Sequence, residues 1–339
     1  MKLIVVGPIY HGYTQAIVRE MENMGHIVVL FYERPFYENC NYLYRKLYKF
    51  GYKSLKTNWT NSWQDALIKL CKKNIEYTVI FLTGWMMSKS LVNKIANRKI
   101  LMLWDSISEY SSEQQELLVK FDKVFAWEYL DIRYAKTKYN VEMQYLPLGY
   151  DSRIYYPINN VFKDIDIVFI GRTDSLRVQL LDKLSAYANL NNLKLVVVGK
   201  WYDNRIWKKN KYKKNHPQLI KNIINKNISP AEVAAYYRRS KIVLNINTAS
   251  HKSISPRTLE IMATKSFQLM NAGQLATINI DFNKDLALYN GFDDLIKQIK
   301  IYLMDDRKRE QIASNGYEAV KEYNLQRTVQ KLLEDNIKA

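Results

Sequence analysis

Two short stretches in the second half of the sequence carry residue types suited to holding a diphosphate. The first is Asp166-Ile167-Val168-Phe169-Ile170-Gly171-Arg172-Thr173-Asp174-Ser175-Leu176-Arg177. An apolar run ends in Gly171 and a helical pattern starts soon after. A glycine there lets a ligand approach the backbone, and a helix N-terminus favours an anion. Arg172 and Arg177 lie five residues apart across that turn. Two guanidinium groups so placed can grip a diphosphate through charge-assisted hydrogen bonds. The plainer reading is a pair of surface arginines beside a turn.

The second stretch runs from Ser253 to Met270 and contains Ser255-Pro256-Arg257-Thr258-Leu259-Glu260. Ser255 suits a helix N-cap and Pro256 the first helical position. That helix start is a second place for an anion. Glu260 stands one turn in, flanked by Leu259, Ile261 and Met262. A carboxylate among apolar neighbours needs a partner, and ribose hydroxyls would serve. The alternative is an ordinary Arg257–Glu260 surface pair at helical spacing.

The elements that must position these residues are legible as alternating strand and helix patterns. Strand-like runs in the first half are Leu3–Val6, Ile27–Phe31, Thr78–Leu82, Ile100–Trp104, Lys123–Ala126 and Met143–Leu146. A second series follows at Ile165–Ile170, Leu193–Val198, Ile242–Ile246 and Ser266–Met270, and a helical tail over Arg307–Leu333 ends the pattern. Near-continuous apolar strands separated by helices indicate parallel sheets covered on both faces. The expectation is an α/β protein of two doubly wound, Rossmann-like domains facing a cleft. The domains expected are 1–152 and 153–320, with a C-terminal helix over 321–339 able to pack back on the first.

In such sheets the residues just after the strands form the working edge. Gly7, Lys200 and His251 fall there and join Gly171, Arg172, Arg177, Ser255, Arg257 and Glu260 as candidates for the diphosphate-holding site. Candidates for a catalytic general base at the first domain's edge are Asp105, Glu128 and His11. Asp105 follows the strand Ile100–Trp104; its alternative role is to cap a helix beginning at Ser106. His11 lies on the first loop, where a solvated histidine is the ordinary case.

Composition narrows the classes. An apolar fraction of 47% and an aromatic fraction of 13% exclude a disordered chain. Two cysteines cannot form a disulfide framework, and four scattered histidines suggest no metal motif. The first residues, Met1–Pro8, read as a buried strand rather than a signal peptide, and the expected location is cytoplasmic. Lysine plus arginine total 51 against 33 acidic residues, a formal charge of +18. That excess suits an anionic partner or reflects a biased composition. Basic residues interleave with aromatics over Tyr42–Lys56 and Trp201–Lys214. Each stretch suits a membrane interface, glycan stacking or nucleic acid, or is a solvated face. For 42–56 the expectation is a substrate-facing side of the cleft or peripheral contact with an anionic membrane.

The stretch Arg257-Thr258-Leu259-Glu260-Ile261-Met262-Ala263, with Gly171-Arg172 and Arg177, resembles the nucleotide-sugar motifs of retaining-type two-domain glycosyltransferases. More narrowly, the chain resembles the CgeB-like glycosyltransferases of GT-B architecture. The matching residues are Trp104-Asp105, Tyr145-Leu146-Pro147-Leu148-Gly149 with Tyr156-Pro157, Phe169-Ile170-Gly171 and Arg257-Thr258-Leu259-Glu260. The resemblance implies a nucleoside-diphosphate sugar donor, a UDP-sugar first among them, with no separate cofactor or metal. It implies transfer to a hydroxyl of a glycan, protein or lipid-linked acceptor. Lys252 stands where the broad family often has a further glutamate, and Thr264-Lys265 replaces its usual Cys-Gly pair. A nicotinamide oxidoreductase is disfavoured because no Gly-x-Gly-x-x-Gly follows a strand. The alternative kept open is a protein that binds nucleic acid or an anionic surface without transferase activity; on the leading reading no nucleic acid is expected.

Overall fold

A computed structural model describes residues 1–9, 12–33, 53–248 and 251–334, with the side chains of 53–58 excepted. The chain forms two compact units, Met1–Leu148 with the chain from Leu325 onward, and Gly149–Asn324.

The first unit runs β1 (Lys2–Gly7), α1 (Tyr13–Asn23), β2 (Ile27–Tyr32), α2 (Lys53–Lys73), β3 (Thr78–Phe81), α3 (Lys89–Lys94), β4 (Lys99–Leu103), α4 (Ser112–Glu116), β5 (Lys123–Ala126), α5 (Tyr129–Tyr139) and β6 (Met143–Tyr145). Its strands are all parallel, in the order β2-β1-β3-β4-β5-β6. The pleat sends alternate residues to opposite faces. Ile4, Val6, Val79, Phe81, Leu101 and Leu103 pack with Trp63 and Leu67 of α2. Leu3, Val5, Ile80, Leu82, Ile100 and Met102 pack on the other face with Ala16, Ile17 and Met21 of α1. Both faces are covered, which is why these strands read as unbroken apolar runs.

The second unit runs β7 (Ile165–Ile170), α6 (Ser175–Leu190), β8 (Leu195–Val198), α7 (Ile206–Asn215), α8 (Leu219–Asn222), β9 (Ile223–Ile224), α9 (Pro230–Arg239), β10 (Ser240–Asn245), α10 (Pro256–Ala263), β11 (Gln268–Asn271), β12 (Ala287–Tyr289), α11 (Gly291–Met304) and α12 (Asp306–Val320). Its parallel order is β12-β11-β10-β7-β8-β9. The winding direction therefore reverses between β7 and β10, and their C-terminal ends flank a topological switch point. The last helix, α13 (Leu325–Leu333), places Leu325, Val329, Leu332 and Leu333 in the first unit's core beside α1.

The division falls at Leu148/Gly149 and Asn324/Leu325, a few residues from the expected 152/153 and 320/321. Backbone pairing explains the offset. The Tyr150 N–H donates to the Tyr323 carbonyl at 3.2 Å, and Tyr150 bridges Asn324, so Gly149–Asp151 and residues 321–324 are tied to one another. The helical tail is not continuous: it breaks between α12 and α13.

Candidate functional site

In the second unit the ends of β7 and β8 approach closely. The Gly171 N–H donates to the Val198 carbonyl at 3.0 Å. Gly199 sits at φ +147°, and a Cβ there would lie 2.3 Å from the Gly171 carbonyl oxygen. Only glycine fits, so the edge of the sheet presents bare backbone.

Arg177, in the first turn of α6, spans the switch point. Its Nε and Nη2 donate to the Ile246 carbonyl beyond β10 at 3.2 and 2.8 Å, and its Nη1 to the Arg172 carbonyl beyond β7 at 3.2 Å. Asp174 caps the helix by accepting from the Arg177 N–H at 2.9 Å, and its other oxygen lies 3.1 Å from Arg177 Nε. Arg257, from α10, joins this cluster. Its guanidinium and that of Arg177 lie 6.0 and 5.7 Å from the centre of the buried Phe169 ring. Arg257 Nη2 would be 3.3 Å from a Cβ on Gly171. Burial first, then the charges of Arg257 and Arg172, push the Arg177 pKa down, while Asp174 opposes. Three cations with one carboxylate leave this end of the sheet strongly positive. Arg172 itself is exposed.

Ser255 stands at the N-cap of α10 and Pro256 at its first position, but the serine hydroxyl does not cap the helix. It pairs instead with the Thr258 hydroxyl at 3.2 Å, which accepts from Asn245 Nδ2 of β10 at 3.0 Å. The side chains thus fasten α10 to the strand. Glu260, one turn on, is half-buried. Desolvation pushes its carboxyl up to about 7, against the charge of Arg257 and a hydrogen bond from the Tyr155 hydroxyl. Tyr155 stacks on Tyr237 at 6.5 Å. The Tyr155 segment is held by Arg238, which donates to the carbonyls of Ile154 and Tyr156 at 2.8 and 2.9 Å. Lys200 is exposed just after β8, and His251 is half-buried.

In the first unit, Asp105 and Glu128 follow β4 and β5. Asp105 caps no helix. Its carboxylate accepts the indole N–H of Trp85 at 2.7 Å. The turn after it is fixed by Asp131 of α5, which accepts from Ser106 Oγ at 2.9 Å and the Ile107 N–H at 2.8 Å. Trp85 packs on Tyr110 at 4.9 Å, and Gln114 donates to the carbonyls of Gly84 and Trp85 at 3.0 Å. Glu128 is only 2% exposed. Gly7 ends β1, where a Cβ would lie 2.9 Å from the Thr14 side chain, so close packing of α1 also requires this glycine. His11 lies outside the described residues, as does the 42–52 portion of the basic stretch 42–56.

Residues 173–334 match the family model described as "Glycosyl transferase-like". No curated protein matches the chain. Sucrose-phosphate synthase from Thermosynechococcus elongatus superposes with a TM-score of 0.71 at 15% identity, over 100% of this chain and 99% of that one. HepE of Anabaena, in complex with UDP-glucose, superposes with a TM-score of 0.68 at 12% identity, over 100% of both chains. A glycosyltransferase from Rickettsia africae ESF-5 does so with a TM-score of 0.65 at 15% identity, over 98% of this chain and 97% of that one. The chain therefore has the GT-B fold, two Rossmann-like units in series.

The second unit brings Gly171, Arg177 and Arg257 together at one sheet edge. Sequence reasoning passed over Asp174 and Tyr155 in this domain. Asp174 was detectable as an acidic residue three before Arg177 at a helix start; Tyr155 carried no local signal. In the first unit it passed over Glu33, 2% exposed after β2, which accepts a short hydrogen bond from the Thr83 hydroxyl.

Proposed function

We propose that the protein transfers a sugar from a nucleoside-diphosphate donor, a UDP-sugar in the first instance, to a hydroxyl of a glycan, protein or lipid-linked acceptor, within the CgeB-like group. The observation that carries this reading is the arginine cluster about the bare backbone of Gly171 and Gly199 at the switch point of the second unit. Such an edge suits a diphosphate, which needs close backbone approach and concentrated positive charge. HepE, of the same fold, is known in complex with UDP and with UDP-glucose.

Arg172, exposed, closes on the diphosphate, while Arg177 and Arg257 supply preorganised charge as the bond to the sugar breaks. This reading needs no metal, because guanidinium groups stabilise the leaving diphosphate. Glu260 accepts hydrogen bonds from the ribose hydroxyls. Gly7, Lys200, His251 and Ser255 border the donor. Asp105 takes the acceptor proton, with Glu128 and His11 as the other candidates, and residues 42–56 touch the acceptor or an anionic membrane. The work is cytoplasmic.

Isothermal titration with UDP in the presence of chelator tests the reading. Binding that is weakened in Arg172→Gln supports it; no binding of any nucleoside diphosphate overturns it.

A further inference from the structure

Helix α7 buries no residue fully, and only Tyr212 of it packs against the second unit's core. Every side chain in it is exposed except Tyr212, which is half-buried and packs on Tyr202 at 5.2 Å and His216 at 4.9 Å. On the side away from Tyr212, Trp207, Lys211 and Lys214 follow one another in one row at i, i+4 and i+7. Ile206, Asn210 and Lys213 form the neighbouring row. Ile206 is 73% exposed and Trp207 62%. Two adjacent large apolar side chains are thus held in water on a helix that needs neither for its own packing.

The charge on this helix is segregated. Asp203 pairs with Arg205 at 2.6 Å and lies 3.5 Å from Lys208, so the helix start is neutralised. Among the described residues, Lys209, Lys211, Lys213 and Lys214 have no carboxylate within ion-pair distance. Lysines at a helix C-terminus complement its dipole, which accounts for Lys213 and Lys214 but not for the isoleucine and tryptophan at the other end. A short basic helix whose first turn exposes an isoleucine and a tryptophan suits a lipid headgroup layer through charge attraction and two interfacial anchors, not through a continuous apolar face.

We propose that α7 seats this domain on an anionic lipid surface, with Ile206 and Trp207 in the interfacial layer and Lys211, Lys213 and Lys214 among the headgroups. The lysine stems add apolar area beside the two anchors while their ammonium groups reach the phosphates. A nucleic acid would satisfy the lysines, but an aliphatic side chain such as Ile206 gains from hydrocarbon and has no face on which a base stacks. One face of the Trp207 ring is already covered by the Arg205 guanidinium, 5.3 Å away. No described helix is long and apolar enough to cross a membrane, so the contact is a surface one. The proposal does not depend on the transferase reading.

Co-sedimentation of the full chain tests it, with vesicles of phosphatidylcholine alone and vesicles containing about 30% phosphatidylglycerol. Binding is expected only to the anionic vesicles, and it weakens as salt rises from about 0.1 to about 0.5 M. Each surface lysine contributes about fivefold in affinity. Lys211→Gln, Lys213→Gln and Lys214→Gln together should therefore lower binding by about a hundredfold. Ile206→Ser with Trp207→Ser should lower it by roughly tenfold. Thermal melting and UDP titration of both variants should match the parent, which separates loss of this surface from loss of folding or of the donor site. Anionic vesicles that fail to bind the parent, or that bind the lysine triple variant equally, overturn the proposal. So does a single-stranded oligonucleotide whose affinity falls with the lysines but not with Ile206→Ser, in a protein that ignores vesicles.

Discussion

Trp85 holds Asp105 by a 2.7 Å hydrogen bond from its indole nitrogen, joining the loops that follow the neighbouring strands β3 and β4. The indole is itself fixed, with one face on Tyr110 and its backbone carbonyl bonded by Gln114. One carboxylate oxygen is thereby engaged and the orientation of the other set.

If Asp105 is the base, Asp105→Asn should lower turnover by roughly 10²–10⁴ while UDP affinity holds. Trp85→Phe should give a smaller loss in the same direction, because the carboxylate remains but its orientation is freed. Steady-state kinetics with nucleotide titration separates these outcomes. A fully active Asp105→Asn enzyme would return the role to Glu128 or His11.

Glu260 should make donor binding depend on pH near neutrality. Its carboxyl sits at about 7 in the folded chain against an ordinary value near 4.5. As a carboxylate it accepts ribose hydrogen bonds, so UDP affinity should rise between about pH 6 and 8. Stability runs the other way. The unfolded chain releases this proton first, so this group's contribution is full below its ordinary value and is lost as pH rises through about 7. Tyr155→Phe removes a hydrogen bond that lowers the pKa, and should shift the binding midpoint upward. Glu260→Gln should flatten both profiles and weaken UDP by on the order of 1.5–3 kcal/mol. Titration calorimetry and melting curves across pH measure both.

Arg172 and Arg177 should separate affinity from architecture. Arg172 is exposed, so Arg172→Gln should weaken UDP with little change in melting temperature. Arg177 bonds two carbonyls on either side of the switch point. Arg177→Lys keeps the charge but loses the fork, and should cost about 1–3 kcal/mol in stability as well as affinity. Chemical denaturation with UDP titration on the two variants tests the distinction.

Gly199→Ala should be destabilising by on the order of 2 kcal/mol or more, since both its positive φ and the Gly171 carbonyl exclude a Cβ. An unchanged denaturation midpoint would contradict this. The same measurement on Gly12→Ala isolates the conformational part: Gly12 has φ +72° but open space for a Cβ.

The two sheets were legible because most of their strands are apolar on both faces. The expected runs Leu3–Val6, Thr78–Leu82 and Ile165–Ile170 coincide with β1, β3 and β7 to within a residue or so. β9 and β12 escaped because they are two and three residues long. A single pairing neighbour at the sheet's edge requires no apolar run. The arginine cluster was legible in part: strand, glycine and helix start lie within one stretch of sequence. The tyrosine setting of Glu260 was not. Tyr155 stands about a hundred residues away, and the anchoring of its segment by Arg238, with its packing on Tyr237, brings it there. Ser255 misled for a related reason. Its type and position fit a cap, but a neighbouring hydroxyl on Thr258, tied to Asn245, competes for it.

The return of α13 to the first unit sets an order of events during synthesis. Residues Gly149–Asn324 form a continuous segment and can complete their own core as soon as they leave the ribosome. The first unit cannot. The face of its sheet carrying Leu3, Val5, Ile80 and Ile100, with α1 beside it, waits for Val329, Leu332 and Leu333. A nascent chain stalled before Leu325 would therefore expose a greasy surface on the half made first, and a chaperone that recognises such surfaces would find its binding site there rather than on the half made later.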